Sequence, residues 1–543
     1  MPDPQVRPWL IAGALGFALA LGGFGYGIFR KVSSKVAELA EEERSVEKQR
    51  STREAPVVDV APAPLPSGLP LVEREGTNAL GYPRSYVDGP ALRSLLEHRK
   101  FAELTRSFEQ LQARFETDPK NELFPIVAAS AFGSALPRLT PLLDAWVDHS
   151  PNSFAPYLAR GAHRTEVAWS RRGGKWSKDT ARSDLKAMRD AAQSALPDLG
   201  KALELRPQLF AALRFQVSAL QLLGDGEGMR AALETANRLC ASCYYVRSRY
   251  VSATTPRWGG SYEAMLRSVA RVPVSQNPAL GLLKGYVDDD RASLAVLAGD
   301  LDAALAHANA ACELGAHEHF LARRALIHWR RGDLELAARD YDAALELRPD
   351  DAGTRIERAG LRADQKKWVD AAEDLLAGLR VDTSSNEGRR LLPRLFQALV
   401  AEADGAAARG ERDEALRLFD VAESLYPFAR EVGAKRAAVV RGGLTGTPEE
   451  LKSLEEAVAA APDDYNARLR LDYALAHQNA FERVIEMWTE YLARHPDRAA
   501  AYYERGGAFQ RLGQLDRATD DFRQACERGH HAACAVAGYY GKR

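Results

Sequence analysis

Cys240 and Cys243 form a CxxC within NRLCASCYYV. Two thiols at that spacing are what a zinc site or a thiol–disulfide centre requires. Zinc needs two further ligands, and neither a second CxxC nor a close His pair accompanies them in the sequence. A redox pair would sit on a βαβ pattern, which is absent. What remains is a pair of packing cysteines in a helical turn, with a local disulfide as the alternative. His317 and His319 flank Glu318, and His530 and His531 are adjacent. Neighbouring residues on a helix point in different directions, so neither pair makes a chelate and both read as surface histidines at helix starts. Gly173-Gly174 and RGGLTG (Arg441 to Gly446) lack the ordered glycines, Lys and Ser/Thr of a phosphate loop and read as turns. Arg257 and Trp258, followed by Gly259-Gly260, combine two side-chain types enriched in binding hot spots and form a candidate recognition loop. The plainer alternative is a Trp packed at a helix junction where the glycines turn the chain. No Ser/His/Asp order or carboxylate pair rises above the acidic faces of amphipathic helices. The expectation is a protein without catalytic residues, metal or cofactor.

The elements that must carry these residues are set by composition and periodicity. The 543 residues are 46% hydrophobic and 27% charged, values of an ordinary globular chain. Lys and Arg total 73 against 74 Asp and Glu. That balance argues against a nucleic-acid binder, which needs a surplus of cations to neutralise phosphates. Five cysteines are too few for a disulfide-built scaffold.

Pro8 to Phe29 is a run of 22 residues without a charge, long enough as a helix to span a hydrocarbon core of about 30 Å. A cleaved signal peptide would have a shorter apolar region, so residues 1–31 are read as a retained single-pass anchor. Ala14, Ala18 and Gly22 recur at four-residue spacing, which lets two membrane helices approach closely. A homodimer through the anchor and the ordinary abundance of small residues in such helices both stay open. Only Arg7 precedes the helix, whereas Arg30, Lys31, Lys35, Arg44, Lys48 and Arg50 follow it. The positive-inside rule then places the C-terminal part in the cytoplasm, at an inner membrane, in preference to the periplasm. Residues 32–54 continue as a charged helix. Residues 55–88 open with APVVDVAPAPLPSGLP, whose five prolines make an extended tether.

Past residue 285 the chain repeats itself. Pro462 and Pro496, Asn479 and Gly513, Ala337 and Ala371, and Trp488 and Phe522 are each 34 residues apart. In EHFLARRALIHWRRGDLELAARDYDAALELRP (Glu318 to Pro349), Gly332 marks a turn, Ala337 and Ala344 are small packing positions, Tyr341 is an aromatic knob and Pro349 ends the unit. Ala501 to His530 repeats the pattern with Gly506, Gly513, Ala518, Phe522 and Ala525. These units resemble the tetratricopeptide repeat. About seven of them fill residues 285–543. The resemblance implies an all-α, right-handed solenoid of antiparallel helix pairs with a concave groove.

Residues 89–284 are also helical but lack a clean period. Trp169, the run Arg171-Arg172-Gly173-Gly174-Lys175-Trp176 and Pro256 to Tyr262 together resemble a bacterial domain of uncharacterised function that accompanies tetratricopeptide repeats. That resemblance supports architecture and carries no activity. The segment ACERGHHAAC, with Cys526 and Cys534, resembles the Sel1-like relatives of these repeats. There, cysteines at this separation cross-link two helices, which implies a Cys526–Cys534 disulfide and an exported domain, against the charge rule.

In the tetratricopeptide family the first helix of each unit lines the groove. Its offsets, transferred here, point Trp329, Arg330, Tyr473, His477, Tyr503, Gln510 and Arg511 inward. Aromatic and Arg side chains suit capture of a peptide by burial and by pairing with carboxylates. The expected function is a membrane-anchored scaffold that binds a protein or peptide. The alternatives are an enzyme with its site in residues 89–284 and a receptor for a cell-envelope ligand.

Overall fold

The computed structural model describes residues 65–536, apart from 134–135, 175–176, 427–428, 443, 445–446, 529, 531–532 and 534–535. The apolar segment Pro8–Phe29, the charged helix of 32–54 and the first part of the tether lie outside the described residues. Among the described residues no helix is long and apolar enough to cross a membrane.

The architecture is all-α, a succession of helix pairs. In the repeat region the pairs are Tyr286–Ala298 with Leu301–Glu313, Glu318–Arg331 with Leu334–Leu347, and Ala352–Asp364 with Trp368–Val381. They continue as Asn386–Ala408 with Arg412–Leu425, Arg430–Arg441 with Pro448–Ala460, Tyr465–His477 with Phe481–Arg494, and Ala499–Arg511 with Leu515–Glu527. The local causes are those of helix ends in general. Gly299, Gly332 and Gly513 adopt left-handed φ of 80°, 86° and 74° at the turn inside a pair, a conformation without penalty for glycine. Asn479 and Lys366 hold the equivalent turn at φ 54° and 60°. Asp300, Asp351 and Asp464 cap the helices that follow them with side-chain oxygens, satisfying N–H groups that have no partner within the helix.

The small and aromatic positions read from the repeats form the core. Ala337, Tyr341 and Ala344 are buried, as are Trp488, Ala518, Phe522 and Ala525. An ionic clamp joins the two helices of several pairs. Arg324 grips Asp340 with two hydrogen bonds of 2.7 and 2.8 Å. Arg358–Asp374 and Arg505–Asp521 repeat the arrangement at the same separation of 16 residues.

Ahead of the repeats, Phe154–Arg172 packs along Arg182–Leu205, which in turn packs on Phe210–Leu223. A hydrophobic core runs from Val87 to Ala253 and includes Trp146, Phe132 and Phe215. A second one unites Tyr244, Met265 and Leu283 with Tyr286 and Phe320 of the first repeats, so apolar packing is continuous across residue 285.

The expected tether ends sooner than residue 88. Leu71–Val72 pairs antiparallel with Tyr86–Val87, and Tyr82 and Val87 are buried. Tyr82 Oη donates to Glu122 at 2.9 Å, and Arg84 forms an ion pair with Glu346. Proline spacing cannot report this, because the run ends at Pro70 and the contacts that fold the following residues come from distant helices. The first helix of the domain, Gly89–Glu97, also reaches the repeats. Arg93 donates to the carbonyls of Ala131 at 2.8 Å, of Val381 at 2.9 Å and of Arg380, occupying acceptors at the end of Trp368–Val381 that have no partner inside that helix.

Candidate peptide groove and polar recess

Two adjoining cavities meet at the first helices of successive repeat pairs. The larger, about 510 Å³, has Leu326, Trp329, Ile356 and Leu391 as its apolar surface and Arg330, Arg390 and Arg394 among its charged ones. Its residues come from Glu318–Arg331, Ala352–Asp364 and Asn386–Ala408 only. They recur at steps of three and four because those positions share one face of a helix. Trp329 is fixed there: its Nε1 donates to Asp364 at 2.8 Å. Asp364 also pairs with Arg394 at 2.6 Å.

The second cavity, about 360 Å³, shares Leu326 and Glu357 with the first. One wall is Arg214 from Phe210–Leu223, with Tyr245 and Arg249 from Tyr245–Ala253. The other is built from the repeats and carries Glu318, His319, Arg323, Arg348 and Glu357. The helix that carries Arg249 is held at its start by a buried carboxylate. Glu122 accepts from the backbone N–H groups of Tyr244 at 2.7 Å and Tyr245 at 2.9 Å, a favourable place for an acid because helix N-termini are electropositive. Immediately upstream, Cys240 and Cys243 form a disulfide. The bond ties the loop where two packing cysteines were the favoured reading.

Charge is unevenly compensated in this recess. His319 donates to Asp289 at 2.9 Å, and Arg323 pairs with the same carboxylate at 3.2 Å. Burial pushes the Asp289 carboxyl up, but His319 and Arg323 overcome it and leave it well below the usual range. In return Asp289 raises His319. Burial lowers His317, which packs against Tyr244 and Phe320. His317, only 2% exposed, is therefore part of a packed wall and not the surface residue that its helix-start position suggested, whereas His319 is exposed, as expected. Burial lifts Glu357 to about 7, with Arg323 opposing. Arg249 is pushed down to about 10 by burial and by the neighbouring Arg214. Among the described residues there is no cluster of three or more His, Cys, Asp or Glu able to hold a metal ion.

Of the groove residues read from the repeat offsets, Trp329 and Arg330 meet in the larger cavity. Tyr473 is half-buried against the core of its pair and His477 is exposed. Tyr503 packs on Phe522 and stacks on His530 at a ring separation of 4.3 Å, while Gln510 and Arg511 are exposed. None of these five lines either cavity. Trp258 meets Trp169 edge to face at 5.4 Å, and Arg172 lies over its ring. This is the packed-junction arrangement; Gly259 supplies the turn at φ 85°, and the adjacent Arg257 is exposed. Cys526 is disulfide-bonded; Cys534, the partner implied by the Sel1-like resemblance, lies outside the described residues.

Sequence reasoning passed over Arg214, Arg249, Arg323 and Arg348. One signal was available: Arg214 is the single charged residue of the helix FAALRFQVSALQLL, and a lone charge on an apolar helix requires a partner or a ligand.

A family model described as a domain of unknown function (DUF4034) matches residues 90–231, and a tetratricopeptide repeat model matches residues 319–351 and 499–528. No curated protein matches the chain. Among solved structures the chain is similar to the TPR domain of P58(IPK), at 15% identity over 81% of this chain and 99% of that one, TM-score 0.21. It is similar to yeast Tom70 at 12% identity over 83% and 94%, TM-score 0.22. A third likeness is the TPR2AB-domain:pHSP90 complex of yeast Sti1, at 15% identity over 45% and 98%, TM-score 0.18. The chain thus carries a domain of unknown function (DUF4034) at residues 90–231, followed by tetratricopeptide repeats.

Proposed function

We propose that this protein is a scaffold that captures a protein or peptide segment in the groove of its repeats and is held at a membrane by Pro8–Phe29. The observation that carries the reading is the larger cavity. It offers an apolar floor of Leu326, Trp329, Ile356 and Leu391 beside three arginines, and it opens on first helices alone. Apolar anchors bury area, and flanking guanidinium groups pair with carboxylates of a captured segment. An acidic segment with apolar anchors is the partner chemistry that fits. The test is a photo-crosslinking amino acid at Leu391 in the full-length protein in its native membrane. Adducts to one defined protein that disappear in Trp329→Ala with Arg390→Glu support the reading; adducts unchanged by that pair of substitutions defeat it.

The excess of cations after the apolar segment supports a cytoplasmic array at a bacterial inner membrane. A periplasmic array is the second reading, favoured by the Cys240–Cys243 disulfide, since such bonds persist in oxidising compartments. Acid quenching of intact cells followed by thiol alkylation under denaturing conditions separates them: both thiols react without reductant in the first case and neither in the second.

A further inference from the structure

Arg214 and Arg249 stand together on the wall of the smaller cavity that the N-terminal region supplies. Arg214 makes no hydrogen bond or ion pair among the described residues; its guanidinium lies over the ring of Phe215 at 5.6 Å. Arg249 donates to neutral groups, Ser218 Oγ at 2.6 Å and Gln221 Oε1, and lies over Trp169. Glu166 is a carboxylate that acts on both, and one negative charge offsets only one of the two guanidinium groups, so this wall retains positive charge. Elsewhere in the cavity each cation has a carboxylate close by. Arg323 has Asp289 at 3.2 Å, and Arg348, whose buried Nε makes no hydrogen bond, faces Asp350 at 3.6 Å. Glu318 and Asp351 also line the repeat side, so an anion is repelled there and drawn to the opposite wall. A recess with unmatched guanidinium groups at one end and carboxylates at the other selects a bipolar ligand. A half-buried cation without a carboxylate partner gains from an anion brought against it.

We propose that this recess binds a small phosphate monoester whose organic part carries an amino group or hydroxyls. Two guanidinium forks offer more parallel N–H donors than one planar carboxylate can accept, whereas a phosphoryl group presents three oxygens. The amino or hydroxyl donors of the remainder then face Glu318 and Asp351. The cavity, about 360 Å³, falls in the range of small-ligand sites and leaves room for that organic part. The inference goes beyond the capture of a peptide and does not depend on it.

The probe is O-phosphoethanolamine, measured by calorimetry on the full-length protein, with inorganic phosphate, ethanolamine and β-alanine alongside. O-phosphoethanolamine should bind, inorganic phosphate more weakly, and ethanolamine not at all. Arg214→Met should weaken the phosphate ester by at least about tenfold, and Trp329→Ala in the larger cavity should leave its affinity unchanged. In the unsubstituted protein the ester should also shield Arg214 and Arg249 from phenylglyoxal, read by peptide mass. This second readout holds even where Arg214→Met fails to fold. Binding of β-alanine as tight as that of the phosphate ester overturns the phosphoryl assignment. Shielding no greater than that of chloride at equal ionic strength, or an Arg214→Met protein that folds and binds as before, overturns the site. Loss of peptide crosslinks with retained ester binding defeats only the groove reading, and the reverse result defeats only this one.

Discussion

The indole of Trp329 lies on Gly360 so closely that a Cβ at Gly360 would stand 2.5 Å from the ring. The contact joins the first helices of two repeat pairs and sets the floor of the larger cavity. Two effects then compete in Gly360→Ala. Alanine favours a helix over glycine by about 1 kcal/mol, whereas overpacking costs about 1–3 kcal/mol. The ring leaves the methyl no space, so a net loss of about 1 kcal/mol is expected, together with a shifted fluorine resonance from fluorotryptophan at Trp329. A stabilised variant with an unmoved resonance would mean that the ring does not lie there.

Arg324 and Asp340 hold the helices of one pair together, and Asp340 is 9% exposed. Removing one partner leaves the other without its hydrogen bonds, so Asp340→Ala is expected to cost about 2–3 kcal/mol. Arg324→Ala should cost at least as much, since it leaves the more buried Asp340 carboxylate unpaired, whereas Arg324 can turn toward water when Asp340 is removed. A double-mutant cycle in chemical denaturation should return a coupling above about 1 kcal/mol; a coupling near zero would make the clamp incidental.

Tyr82 ties the segment ahead of the first helix to the body through Glu122, and Asn277 donates to the Tyr82 hydroxyl at 3.0 Å. A chain starting at Leu65 should therefore melt several degrees above one starting at Val87. Tyr82→Phe, which removes only the hydroxyl, should cost about 1–2 kcal/mol. Equal melting temperatures for the two chains would return residues 65–86 to the tether.

Glu357 keeps its proton in the folded protein up to about pH 7, against an ordinary value of 4.5. Between those values the folded state binds more protons than the unfolded one, so stability falls as pH rises through this window. The group's contribution is at most about 3 kcal/mol. His317, lowered by burial, works in the opposite direction as the pH drops, so the comparison must be with a variant. Glu357→Gln should be relatively more stable than the parent at pH 8 than at pH 5, by urea denaturation at both. A pH-independent difference would place the charge in solvent.

The repeating helix pairs were legible because their causes are local. Turn residues, capping aspartates and small or aromatic positions at a 34-residue period act within one unit. The offsets of the first helix likewise brought Trp329 and Arg330 to the larger cavity. The same offsets failed for Tyr503, because His530, from beyond its pair, stacks on the ring, and no periodic rule counts that neighbour.

Sequence alone fixed which segments are helical, where the pairs turn and which positions fill them, since each follows from spacing within a few turns of chain. Tertiary structure decided that Arg214 and Arg249 meet Arg323 and Arg348 in one recess, that Tyr82 folds back on Glu122, and that Arg93 caps a helix of the third repeat pair. Each of these joins residues far apart in the chain. Their meeting depends on how successive pairs stack, which arises from packing between units and is not written in any one of them.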